Sequence, residues 1–101
     1  MIEIMNMRDE KPSKPYDFHI DRRSPVGNPY PMHGEATRDT VCDDYKAHFD
    51  KMVAHNDVQF VGYLETIKKA LAIHGRVRLF CWCAPKRCHG ETIKAWLESN
   101  V

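Results

Sequence analysis

The first twenty residues of the chain carry two short alternating segments. In IEIMNM, residues 2–7, Ile2, Ile4 and Asn6 fall on one side and Glu3 and Met5 on the other, the period of a half-buried strand. YDFHID repeats the pattern, with Tyr16, Phe18 and Ile20 set against Asp17, His19 and Asp21, and predicts a second strand. From Thr37 the period lengthens. Val41, Tyr45, Phe49 and Met52 recur at helical spacing, with Cys42 and His48 flanking the stripe, which predicts an amphipathic helix. Asn56 and Asp57 break that helix and can cap another, in which Phe60, Leu64, Ile67 and Leu71 share one face until Gly75 ends it. RVRLFCW then sets Val77, Leu79 and Cys81 against Arg78, Phe80 and Trp82, as in a strand covered on at least one side. A last helix turns Ile93, Trp96 and Leu97 inward. The predicted order is β-β-α-α-β-α, an α/β or α+β arrangement of a small sheet with helices, as a single domain over residues 1–101.

Length limits this chain to one core, because 101 residues bury only roughly 60–70% of the unfolded surface. A net charge of +1 creates no global field toward DNA, RNA or an anionic membrane, so nucleic acid is disfavoured as a partner and any anion site must be local. The N-terminus turns charged within eight residues, so neither a secretion signal nor a membrane span is expected, and the expected location is cytoplasmic.

Two irregular stretches hold the candidate chemistry. The first, IDRRSPVGNPYPM, leaves the second strand with Arg22 and Arg23, where ligand crevices of open sheets lie and where an arginine fork suits phosphate or carboxylate. Gly27 permits close backbone approach, Asn28 can close a turn or read a polar ligand edge, and Pro25, Pro29 and Pro31 stiffen the loop. A solvated surface turn would have the same composition.

The second, FCWCAPKRCHGETI, places three of the four cysteines within eight positions, between the third strand and the last helix. Cys88 stands at the predicted helix start, with Lys86 and Arg87 before it and His89 after it. Those surroundings predict a depressed thiol pKa and a nucleophilic cysteine. The alternative is that Cys88 and His89 merely pack and cap the helix. Cys81, Cys83, Cys88 and His89 also supply the four groups that zinc takes, although their spacing is not that of paired zinc knuckles. No Cys-x-x-Cys is present, which disfavours thioredoxin-like chemistry. The interval from Cys81 to Arg87 matches a phosphatase loop in length only, since Trp82 and Pro85 intrude where small residues would be needed.

Taken together, Ser24, Pro25, Gly27, Asn28 and Pro29, followed by Cys81, Cys83, Pro85, Cys88, His89 and Gly90, resemble the paired signatures of an uncharacterised family. It is a domain of unknown function found in bacteria and tailed bacteriophages, with the motifs Ser-Pro-x-Gly-Asn-Pro and Cys-x-Cys-x-Pro-x-x-Cys-His-Gly. The resemblance spans nearly the whole chain; Asp21 stands where the family typically has glycine. It implies that the two loops face one another across the sheet end. On that placement the expected site has Cys88 and His89 as nucleophile and acid/base, and Arg22, Arg23, Ser24, Gly27, Asn28, Lys86, Arg87 and Gly90 around a ligand. The expectation is a phage-related domain that binds or processes a nucleotide or phosphate-bearing small ligand. One alternative is a non-enzymatic accessory module for a host protein or nucleic acid. The other is a zinc-stabilised domain; no cofactor other than zinc is expected.

Overall fold

The computed structural model describes residues 1–100. Three strands, β1 (Ile2–Asn6), β2 (Asp17–His19) and β3 (Val77–Cys81), form one sheet in the order β1-β3-β2. Both pairings are parallel, with Ile4 opposite Leu79 on one side and Phe18 opposite Leu79 on the other. The helices are α1 (Arg38–Ala54), preceded by a 3-10 turn at Glu35–Thr37, α2 (Val58–His74) and α3 (Gly90–Asn100). The architecture is α/β, and the element order follows the predicted one. Among the described residues no helix is long and apolar enough to cross a membrane.

Local chemistry explains the helix boundaries. The Asp57 carboxylate accepts the Phe60 N–H at 3.0 Å and opens α2. Gly75, at φ 72°, closes it in a left-handed conformation that a side chain would disfavour. Tyr45 and Phe49 of α1 and Phe60, Leu64 and Ile67 of α2 are buried, joined by Ile93 and Leu97 of α3. They pack with Val77, Leu79 and Cys81 in one core cluster.

β3 falls within the expected covering of at least one side, and all five of its residues are buried. As the central strand it is covered on both sides. Its second face carries Arg78, which lies opposite Asp17 in register. Arg78 donates to the Asp17 carboxylate at 2.7 and 2.8 Å and pairs with Glu10 at 2.6 Å. A charged residue is tolerated there because this carboxylate fork satisfies it. β2 is shorter than its alternating pattern, three residues instead of six. Tyr16 and Ile20 still bond to β3 through main-chain atoms, by Arg78 N–H to Tyr16 O and Ile20 N–H to Phe80 O.

Candidate functional site

Parallel strands send all their carboxyl ends to one edge of the sheet, where connecting loops frame a crevice. Here the segment after β2 and the loop after β3 enclose a cleft of about 450 Å3. Its walls include Arg22, Arg23, Asn28 and Tyr30 from the first loop, Trp82, Cys83 and Arg87 from the second, and Arg38 from the start of α1; Cys81, Cys88 and His89 line it too. The two stretches singled out in the sequence therefore share one cavity.

Backbone anchors hold the walls. Asn6, buried at the end of β1, donates to the carbonyls of Trp82 and Ala84 at 3.3 and 2.8 Å. The buried Tyr45 hydroxyl donates to Val26 O at 2.7 Å, tying the first loop to α1. Gly27 is needed for space: a Cβ there would lie 2.5 Å from Asp21 O and 2.6 Å from Arg22 Cα. Its role is therefore the close passage of the loop over its own start, and it does not line the cleft. Ser24 also serves the turn, its hydroxyl donating to Asp21 O at 3.0 Å.

The cations of this region are unequal. Arg87 donates to Asp39 and Asp43 of α1, each at 2.9 Å, and Lys86 pairs with Glu35 at 3.0 Å outside the cleft lining. Arg87 thus docks the second loop on α1, and Lys86 docks it on the 3-10 turn that precedes α1. Arg38 is forked onto Glu35 and also donates to Arg87 O at 2.9 Å. Arg23 pairs with Asp21 at 3.1 Å. Arg22 donates only to the Asn28 carbonyl, at 3.2 Å, and makes no ion pair among the described residues. Asp21 also accepts the Trp82 indole N–H at 3.2 Å, which orients an aromatic ring that is 55% exposed beside the cleft.

Cys88 turns out to cap α3. Its Sγ accepts the Gly90 N–H at 3.3 Å, while the Glu91 carboxylate accepts the Cys88 N–H at 3.2 Å, a relative of the capping box in which a thiol takes the N–H two residues on in place of three. Gly90 leaves room for this arrangement, since its Cβ would lie 2.8 Å from the Ile20 side chain and 3.3 Å from Cys88 Sγ. Cys88 Sγ is also 3.4 Å from Cys81 Sγ.

The expected depression of the Cys88 thiol is reversed. Its hydrogen bond to Cys81, then its burial, raise its pKa. Cys81 is the lowered thiol: the bond from Cys88 favours its thiolate, as do the N–H groups of Cys83 and Ala84, and together they outweigh burial and the charge of Asp21. Lys86 and Arg87, on which the sequence argument relied, are spent on carboxylates.

His89 does not touch Cys88 through a hydrogen bond. Its Nε2 bonds to Ile20 O, and its ring meets Tyr45 edge-on at 4.9 Å. Burial lowers its pKa despite the Ile20 bond, so the ring is neutral at neutral pH and Nε2 carries the proton. His89 thereby joins the start of α3 to the end of β2. Zinc would need Cys81, Cys83, Cys88 and His89 turned to one point; among the described residues no cluster of three or more metal-ligating side chains is present. His89 is committed to a carbonyl.

Sequence reasoning passed over Asp21, Tyr30, Arg38 and Trp82 as parts of a site. Trp82 offered a signal, an aromatic residue directly after a buried strand and between two cysteines. Arg38 offered none, because its approach to the second loop depends on how α1 returns across the sheet. No curated protein and no solved structure gives a significant match to this chain. A family model does match, over residues 5–99, and the chain belongs to the family described as Domain of unknown function (DUF4326).

Proposed function

We propose that this domain binds a nucleotide or another phosphate-bearing small ligand in the cleft between the 21–32 and 82–89 loops. One observation carries the reading: a single cavity joins a guanidinium without a carboxylate partner, Arg22, to the exposed rings of Trp82 and Tyr30. Guanidinium binds phosphate by charge-assisted hydrogen bonds, and an aromatic face accepts a nucleobase by stacking. Arg23 can add a second fork by exchanging Asp21 for the ligand.

Cys81 is better suited than Cys88 to any covalent step on such a ligand, since Cys88 caps α3 and donates to it. His89 positions the wall and holds its proton on Ile20 O. A floor of free thiols stays reduced in a reducing compartment, which supports a cytoplasmic protein; the phage relation rests on the motif resemblance.

Trp82 emission provides the test. In a Trp96→Phe background Trp82 is the sole tryptophan, and nucleoside mono-, di- and triphosphates, nucleosides and orthophosphate are titrated in parallel. Saturable quenching by one nucleotide class is expected, weakened about tenfold by Arg22→Ala, equivalent to about 1.4 kcal/mol. If no phosphate-bearing compound alters Trp82 emission or the melting temperature, the reading fails.

A further inference from the structure

The cleft floor carries a chemistry that ligand binding does not require. Cys81 ends the central strand and Cys88 caps the helix that follows, and the loop between them folds back so that their sulfurs stand 3.4 Å apart. Both are free thiols. A disulfide needs about 2.0 Å, so the sulfurs need approach by only about 1.4 Å to bond.

We propose that Cys81 and Cys88 are a redox-active dithiol that a small hydroperoxide, entering through the cleft, converts to an intramolecular disulfide.

Three further features support it. Cys81 and Cys88 are 1% and 4% exposed, yet both line the cleft. This geometry admits a small oxidant and excludes a protein thiol. The hydrogen bonds converging on Cys81 favour its thiolate, the form that attacks peroxide. The partner thiol is already in contact, the arrangement that resolves a sulfenic acid before it is oxidised further. Cys42 and Cys83 also line the cleft, but neither makes a sulfur–sulfur contact of this kind among the described residues.

The step balances with hydrogen peroxide as oxidant. The Cys81 thiolate attacks one peroxide oxygen; the S–O bond forms, the O–O bond breaks, and the departing hydroxide takes a proton to become water. Cys88 then attacks the Cys81 sulfur as a thiolate. The S–S bond forms, the S–O bond breaks, and the second hydroxide leaves as water with the proton that Cys88 released. Two thiols lose two electrons and one peroxide gains them. An added dithiol reductant reverses the change by exchange.

Trypsin separates the two cysteines, because Lys86 and Arg87 lie between them. The reduced, full-length protein is treated with a few equivalents of hydrogen peroxide, blocked with iodoacetamide and digested. The expected product is a disulfide joining peptides 79–86 and 88–94, two hydrogens lighter than the separate peptides and cleaved by dithiothreitol. Cys83→Ser and Cys42→Ser retain it. Cys88 recovered fully alkylated, while Cys81 or Cys83 reaches the sulfinic acid, overturns the proposal. So does a linkage that disappears in Cys83→Ser. Fragmentation of the linked wild-type peptides assigns the bridge to Cys81 or to Cys83, which share peptide 79–86, so the readout does not depend on any variant's folding; a bridge from Cys83 overturns the proposal.

Discussion

Neutralising Asp17 tests the electrostatic account of the sheet, because that carboxylate is almost wholly enclosed and its contacts are explicit. It accepts Ser13 and Lys14 N–H at 2.8 and 2.9 Å and the Arg78 fork at 2.7 and 2.8 Å, with 1% of its side chain exposed. Burial raises its pKa, but the Arg78 fork and the two N–H groups outweigh burial and bring the carboxyl from 3.8 down to about 2. The folded-state value lies below the unfolded one, so the contribution is complete above about pH 5 and is lost as the pH falls through 4 toward 2. Its full size is about 2.4 kcal/mol, of which about 1 kcal/mol is gone at pH 3 and about 2 kcal/mol at pH 2. Asp17→Asn removes this dependence. At neutral pH it costs about 3 kcal/mol, the low end for breaking a buried pair, because Glu10 remains on Arg78. Urea unfolding of both proteins between pH 7 and 3 measures the gap. The gap shrinks by about 1 kcal/mol over that range. A gap that stays constant or widens on acidification refutes the assignment of the stabilisation to the ionised Asp17.

Two further predictions concern the loops that frame the cleft. Gly27→Ala forces a Cβ against the Asp21 and Arg22 backbone. It should destabilise by about 1–3 kcal/mol, lowering Tm by roughly 5–20 °C in a thermal melt. Gly90→Ala should cost less because its nearest obstacle is the far end of the Ile20 side chain and not backbone; a Gly27→Ala variant that melts with the wild type would refute the close passage at Gly27. At Cys88, serine retains an acceptor for the Gly90 N–H and alanine does not. Cys88→Ser should exceed Cys88→Ala in stability by about 1 kcal/mol in urea midpoints, and the reverse order would mark the position as apolar packing alone.

Much of the architecture was legible from residues close together in sequence. The stripe at Tyr45 and Phe49, the Asp57 cap and the Gly75 stop each act within a turn or two, so reading them required no knowledge of the rest of the chain. The site was legible only in part. Both loops were identifiable from their prolines, arginines and cysteines, but the roles within them were not. Cys88 carried the basic neighbours that suggested a reactive thiol, yet those side chains turn to Asp39, Asp43 and Glu35. The thiol whose pKa is lowered is instead Cys81, which the sequence offers only as a possible zinc ligand and as part of the motif.

The sequence alone determined where strands and helices form and which two stretches carry polar and thiol chemistry, because periodicity, capping and turn preference are local properties. Tertiary structure decided that β3 runs between two parallel neighbours, that Asp17 meets Arg78 across 61 positions, and that Asp21 orients Trp82 across the same interval. It also decided which thiol is favoured as the thiolate. Those outcomes depend on the directions of individual donors and the distances between distant segments, and both arise only when the helices return the chain to the sheet.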